Sequence, residues 1–204
     1  ITAIRNQYGS GVDFVGLGGS AMESVGLQSR FPISELSVMG LVEVLPHLRR
    51  ILARIRETAD DIVRKNPDVV VTIDSPSFTV RVVTQLVGRY QGPKIHVVAP
   101  TVWAWRPGRA HKFKNYFDHL LTILPFEPTY FQRVGLASKF IGHPVLEYGV
   151  QEADGRVFRK DHGIDSDQKL ICILPGSRRG EVTRHLSIFG EALARYRANA
   201  SPNM

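Results

Sequence analysis

Asp68-Val69-Val70-Val71-Thr72-Ile73-Asp74-Ser75-Pro76 is a run of apolar, mostly β-branched residues that stops on a carboxylate and a Ser-Pro corner. A strand that is apolar without alternation is one covered on both faces, which is the habit of parallel sheets flanked by helices. The pattern to either side agrees. Before it, Leu41, Val44, Leu45, Leu48, Ile51, Leu52, Ile55, Ala59, Ile62 and Val63 recur at spacings of a helix, with Pro46 tolerable in its first turn and Pro67 beyond its end. Further strands are expected at Val12 to Gly16, Lys94 to Ala99, Leu120 to Leu124 and Lys139 to Ile141, with helices around Met22 and over Phe78 to Tyr90, Arg109 to Phe117 and Pro128 to Val134. Strands alternating with helices indicate βαβ units, so the expected fold class is α/β with a Rossmann-like parallel sheet.

The alternation breaks at Gly142-His143-Pro144, and a polar stretch containing Gln151, Glu152, Asp154 and Gly155 follows. The expected organisation is therefore a sheet domain over 1–142, a linker with a helix over 143–168, and over 169–204 the opening of a second domain. That opening reads as a strand at Lys169 to Leu174, a loop at Pro175-Gly176-Ser177-Arg178-Arg179-Gly180-Glu181 and a helix from His185 to Arg197. The single Cys172 lies inside the apolar run and reads as a small buried hydrophobe; one cysteine makes no internal disulfide.

At 204 residues, 43% hydrophobic and 22% charged, the chain has the composition of a globular protein with a real core. The formal charge of +7 calls for an anionic partner, whether nucleic acid, an anionic membrane surface or a phosphorylated substrate. No apolar run nears the roughly 20 residues that span a bilayer. The start, Ile1-Thr2-Ala3-Ile4-Arg5-Asn6, carries no secretory signal and no initiating Met, so the expectation is a cytoplasmic protein whose natural start lies upstream.

Several segments could carry chemistry. Asp74 leaves its strand at the carboxyl edge of the sheet, where open α/β folds bind ligands, and could accept a proton from an attacking hydroxyl; an N-cap or Asx-turn before the helix opened by Pro76 is the competing reading. Gly176, Ser177 and Arg178 stand where a strand gives way to a helix, an arrangement that suits phosphate but also an ordinary βα turn. Gly16-Leu17-Gly18-Gly19-Ser20 lacks dinucleotide-binding spacing, leaving Gly18 and Gly19 either for close backbone approach to a sugar or for a tight turn. Trp103, Trp105 and Arg106 lie beside Arg109, His111, Lys112 and Lys114. Aromatics bordered by cations suit a membrane interface, an anionic amphiphile or stacked single-stranded nucleic acid; both rings could instead be core. His143, at the domain junction, could touch a substrate or simply be a satisfied hinge histidine. No residue set has metal-ligand spacing, so no metal is expected.

Taken in order, Met39-Gly40-Leu41-Val42-Glu43-Val44-Leu45, Ile73-Asp74-Ser75-Pro76-Ser77-Phe78, Val102-Trp103-Ala104-Trp105-Arg106, Leu124-Pro125-Phe126-Glu127, Gly142-His143-Pro144 and Pro175-Gly176-Ser177-Arg178 resemble the lipid-A-disaccharide synthase family. The resemblance implies a GT-B fold, in which two Rossmann-like domains face a cleft and the C-terminal one holds most of the nucleotide-sugar. It implies inverting transfer of 2,3-diacylglucosamine from UDP to 2,3-diacylglucosamine 1-phosphate, giving a β-1,6 disaccharide and UDP in lipid A synthesis, with no cofactor because the UDP-sugar is a substrate. It assigns the essential acidic role to Asp74 and the essential arginine to Arg178. Substrate contacts are expected of Gly18, Gly19, Ser75, Trp103, Trp105, Arg106, His143, Gly176 and Ser177. Because both substrates are acylated, Met39, Leu41, Val42, Leu45, Arg49 and Arg50 are expected to meet the inner face of an anionic inner membrane, and nucleic acid is not expected as a partner. The family's Gly-rich first strand would precede Ile1 and most of its UDP-binding half would follow Met204, so this polypeptide alone is expected to be inactive. The rivals are another GT-B UDP-sugar transferase or epimerase, and a non-catalytic basic module for membrane or nucleic acid.

Overall fold

In the computed structural model, which describes residues 1–36, 48–177 and 179–199, the chain divides into two compact units, Ile1–Val145 and Leu146–Met204. The expected membrane residues Met39, Leu41, Val42 and Leu45, the start of the long helix, and Arg178 lie outside the described residues.

The first unit is built on four parallel strands in sequential order: β1 (Val70–Ile73), β2 (Lys94–Val97), β3 (His119–Thr122) and β4 (Ala137–Phe140). Every residue of β1 is β-branched, which restricts χ1 and suits the pleated conformation. The register pairs Thr72 with His96 and His96 with Leu120, placing a histidine in the middle of the sheet. The ladder outlasts the strands: the N–H of Asp74 donates to the Val97 carbonyl (2.9 Å), that of Val98 to Leu121 (2.9 Å), and that of Ile141 to Thr122 (3.0 Å).

Helices α1 (Thr2–Tyr8), α2 (Ser20–Glu23) and α3 (Leu48–Lys65) precede the sheet, and α4 (Pro76–Thr84), α5 (Arg109–Tyr116) and α6 (Pro128–Gln132) follow β1, β2 and β3 in turn. Helix α3 ends at a left-handed Asn66 (φ 42°) followed by Pro67, which cannot continue it. Helix α4 stops at Thr84 rather than Tyr90, since the chain tightens into i→i−3 bonds, Gln85 to Val82 and Leu86 to Val83 (3.0 Å each), before a left-handed Gly88 (φ 73°). The core has two parts. Phe31, Ile55, Ala59, Val70, Phe78, Val82, Leu86 and Tyr90 join α3, β1 and α4, while Val83, Ala99, Val102, Ala110, Phe113, Phe117, Leu120, Phe131 and Leu136 join α4, α5, β3 and α6.

Two expected strands do not form. Of Val12 to Gly16 only Gly16 is paired, by a single parallel bridge to Ser29, and Val15 is exposed. Lys169 to Leu174 has no ladder partner among the described residues; Leu170, Ile171 and Leu174 are exposed, and Cys172 is exposed rather than buried. Apolar runs of this kind become strands only when neighbours satisfy their backbone groups and cover their faces, and neither run has such neighbours here. The second unit contains α7 (Gly155–Asp161), whose N-cap Asp154 accepts from the Arg156 N–H (2.8 Å), and α8 (Arg179–Asn199).

Candidate functional site

Because all four strands run the same way, their carboxyl ends share one edge of the sheet, the edge where open α/β sheets bind ligands. At the end of β1 two consecutive non-glycine residues are left-handed, Asp74 (φ 51°) and Ser75 (φ 45°); at the end of β2, Val98 is left-handed too (φ 75°), and so is Arg106 in the loop beyond (φ 55°). Such conformations cost about 1–3 kcal/mol each, most for a β-branched residue, and cluster at ligand sites. Bonds around the corner hold it: the Asp74 N–H is tied to Val97, the Thr79 hydroxyl lies 3.1 Å from both the Asp74 and Ser75 carbonyls, and the Phe78 and Thr79 N–H groups donate to Ser75 (2.9 and 3.0 Å). Pro76 follows at the first helical position, where no N–H is needed.

The N-cap of α4 is Ser75, whose side chain makes no capping bond. Asp74 is thus not the cap, and its exposed carboxylate has no hydrogen bond or ion pair among the described residues. The corner presents the carboxylate to solvent.

After β2 the chain forms the tryptophan loop. Val102 is the residue that enters the core, whereas Trp103 is 42% and Trp105 53% exposed, which removes the core reading for both rings. Trp103 meets Phe126, from the loop after β3, edge-on at 5.3 Å, and the Arg106 guanidinium lies over the Trp105 ring at 4.2 Å. A cavity of about 380 Å³ opens beside this loop, lined by Pro76 and Val80 of α4, Trp105, Arg106, and Arg109, Lys112 and Phe113 of α5. Three cations and two aromatic rings line it, and no carboxylate does. Pro76, two residues after Asp74, lines this cavity together with Trp105 and Arg106 of the tryptophan loop.

Beneath the cavity, Phe113 packs edge-on against the buried His96 ring (5.1 Å), and Phe117 lies 4.9 Å away. His96 Nδ1 is 2.7 Å from the Thr72 hydroxyl, and its Nε2 has no hydrogen-bond partner among the described residues. Burial pushes its pKa down to about 4 although the Asp74 charge pulls the other way, so the ring is neutral at pH 7. Sequence reading overlooked this residue; a lone polar side chain inside Lys94-Ile95-His96-Val97-Val98-Ala99 was the available signal. It also gave no role to Glu127, which is buried with its carboxylate accepting from the Leu124 N–H (3.0 Å), fixing the loop after β3 that carries Phe126.

The other expected residues are placed as follows. His143, after β4, is half-buried, and its Nδ1 accepts from the Val145 N–H (3.1 Å). Gly18 is buried; a Cβ there would fall 2.5 Å from Leu27 and 2.8 Å from Met22, so the close approach it permits is to the chain itself, while Gly19 is the N-cap of α2. Arg49 and Arg50 are exposed on the first turn of α3. In the second unit, Gly176 is left-handed (φ 116°) with Glu181 against it, Ser177 is exposed, and His185 Nδ1 sits 2.8 Å from the Pro175 carbonyl. Among the described residues no cluster of His, Cys, Asp or Glu could hold a metal ion, and no helix is long and apolar enough to cross a membrane.

Known proteins share this sequence widely. Relatives described as lipid-A-disaccharide synthase include those of Rhodospirillum centenum, 49% identical over 196 residues (95% of this chain, 48% of the relative), Paramagnetospirillum magneticum, 48% over 195 residues (95% and 50%), and Ruegeria pomeroyi, 50% over 186 residues (91% and 46%). The chain spans about half the length of these curated relatives. A family profile described as lipid-A-disaccharide synthetase matches residues 1–202. With a match that begins before the Asp74 corner and runs past the Gly176-Ser177 loop, the chain belongs to the lipid-A-disaccharide synthetase family.

Proposed function

We propose that the whole protein, of which this chain spans about half, is an inverting glycosyltransferase that moves 2,3-diacylglucosamine from UDP to the hydroxyl of 2,3-diacylglucosamine 1-phosphate. The observation that carries this reading is the Asp74 carboxylate, exposed and without a partner among the described residues, on a strained corner two residues before the cavity-lining Pro76. In the proposed step the acceptor hydroxyl oxygen attacks the anomeric carbon of the donor sugar. The new C–O bond forms on the face opposite the breaking bond to phosphate, the bonding electrons leave with UDP, and the hydroxyl proton passes to Asp74. Trp103, Trp105, Arg106 and His143 supply substrate contacts at the same sheet edge. Arg178, with Gly176 and Ser177, stabilises the departing diphosphate. No cofactor is required, since the donor carries its own leaving group.

Both substrates are amphiphiles, so the enzyme works at the cytoplasmic face of the inner membrane without crossing it. Met39, Leu41, Val42 and Leu45 enter the lipid boundary in this reading, and Arg49 and Arg50 meet its phosphates. The family match supports this over a nucleic-acid module or another UDP-sugar enzyme.

The test is made in the full-length enzyme. Asp74→Asn and Arg178→Ala are each expected to lower kcat by about 10²- to 10⁴-fold, the range for loss of a proton acceptor or of leaving-group stabilisation. Turnover within threefold of the parent for either variant would remove that residue from the mechanism.

A further inference from the structure

The proposed reaction involves two anionic substrates, and the first unit contains a cationic cavity. Arg106, Arg109 and Lys112 converge on it, and none has a carboxylate partner among the described residues. Some cations elsewhere in the unit are paired, Arg30 with Asp61, Arg54 with Glu35, Arg89 with Asp60 and Lys94 with Asp118, so what sets these three apart is their convergence on one cavity. Arg109 and Lys112 stand three positions apart on α5, where neighbouring like charges on one helix face repel unless an anion lies between them. Arg106 is held in a left-handed conformation with its guanidinium plane on Trp105, an arrangement that orients the group and leaves its N–H donors free.

We propose that Arg106, Arg109 and Lys112 bind the phosphate monoester of the acceptor sugar. The assignment rests on the transferase reading and follows from where the proton goes. A group that takes a proton from the acceptor must touch the acceptor, so an anion site lined by Pro76, two residues along the chain from Asp74, belongs to the acceptor rather than to the donor. Three cations suit a dianion with three accepting oxygens better than a carboxylate, and the cavity, at about 380 Å³, has room for a sugar ring as well. Trp105 forms the apolar wall against which the ring packs. The cavity thus selects a phosphorylated acceptor and turns its free hydroxyl towards Asp74.

The test uses the full-length enzyme in detergent micelles with short-chain diacylglucosamine 1-phosphate and the same sugar lacking its phosphate. The parent is expected to prefer the phosphorylated acceptor by about 100-fold in kcat/KM, the scale of two lost charge-assisted bonds. Arg109→Gln with Lys112→Gln should raise KM for the phosphorylated acceptor at least about tenfold and leave the donor KM and the unphosphorylated acceptor within about threefold. Arg109→Lys with Lys112→Arg should recover most of the preference. A double variant that keeps the preference, or that loses both acceptors equally, overturns the proposal. So does loss of sedimentation with phosphatidylglycerol vesicles while the acceptor preference stays intact, since the cations would then serve the membrane surface. Titration calorimetry with the phosphorylated acceptor separates this idea from the reaction itself: binding that depends on Arg109 and Lys112 without any turnover sinks the transferase reading and leaves the phosphate site standing, whereas turnover without phosphate preference does the reverse.

Discussion

The two sides of the first unit treat charge in opposite ways. Around α3, one set of cations, Arg30, Arg54, Arg64 and Lys65, is paired with carboxylates. Arg54 grips Glu35 with two bonds of 3.0 Å and Glu57 with one of 2.7 Å while its guanidinium lies 4.4 Å over the Phe31 ring, and Arg30 bridges Asp61 (2.6 Å) and Glu57 (3.4 Å). Lys65 and Arg64 close on the buried Asp61 from the next turn. At the carboxyl edge of the sheet, Asp74, Arg106, Arg109 and Lys112 have no ion pair among the described residues, and the backbone that carries Asp74 and Arg106 is left-handed. The α3 network fastens the segment from Arg30 to Glu35 onto the helix and is a structural device. The unpaired edge has its charges ready for something else, which separates binding from scaffolding more sharply than counting arginines does.

The largest way to break this comparison is Asp74→Asn, which changes neither shape nor the backbone corner. It should remove about three orders of magnitude of turnover from the full-length enzyme and shift the unfolding midpoint by no more than about 2 °C, because the carboxylate makes no internal bond. A large loss of stability would mean that Asp74 belongs with the scaffold after all.

The buried polar groups of the two sides should also part company in acid. His96 has a folded pKa of about 4 against roughly 6.5 unfolded. Between those values the unfolded chain holds a proton that the folded one refuses, so stability falls as pH drops from about 6.5 to 4, by about 3 kcal/mol in all. Below pH 4 both states are protonated and this loss ends. Asp61 loses its contribution in the same direction but at lower pH. Burial alone would raise its carboxyl, but Lys65, Arg30 and Arg64 together hold it below the usual range, so its contribution is complete above about pH 4 and is lost only as pH falls through its depressed value. Denaturant titrations from pH 7 to 3 should therefore show two separate declines, and His96→Leu should flatten the first one alone. If the upper decline survives in His96→Leu, another group is responsible.

Asp61→Asn is the smaller counterpart on the structural side. Three cations lose a charged partner, two of them well exposed to water, so the cost should be about 1–2 kcal/mol by chemical denaturation, with acceptor and donor KM unchanged. A change in KM would show that the α3 network reaches the site.

Much of the fold was legible because it depends on local chemistry. The β-branched run before Asp74 makes β1 wherever it finds a neighbour, and Pro76 with the following apolar residues makes α4. What failed depends on partners: Val12 to Gly16 and Lys169 to Leu174 have apolar character but no ladder to join, and Cys172 is exposed with them. The site was half legible. Asp74 and the tryptophan loop stand out by position and type, yet nothing in Asp74, Ser75, Val98 and Arg106 announces a left-handed backbone, since none is glycine. Arg109 and Lys112 look like any helix face until the structure shows that no carboxylate lines the cavity they share. Gly18 carried the opposite lesson, its missing side chain making room for Leu27 and Met22.

Val98 offers the finest test of whether the edge is strained for a purpose. A β-branched residue at φ 75° is disfavoured by about 1–3 kcal/mol, whereas glycine adopts that conformation freely. Val98→Gly relieves this strain, and against the relief stand about 0.5–1 kcal/mol of extra unfolded-state entropy and a half-buried side chain. The net should be stabilisation by up to about 1 kcal/mol, read as a small rise in Tm. Function should move the other way, because Val98 leads directly into the loop carrying Trp105 and Arg106 and its N–H anchors that loop to Leu121. A threefold or greater rise in acceptor KM beside a higher Tm would show that the strained backbone positions the loop; a lower Tm with unchanged KM would show that the valine side chain, not its backbone, is what this position requires.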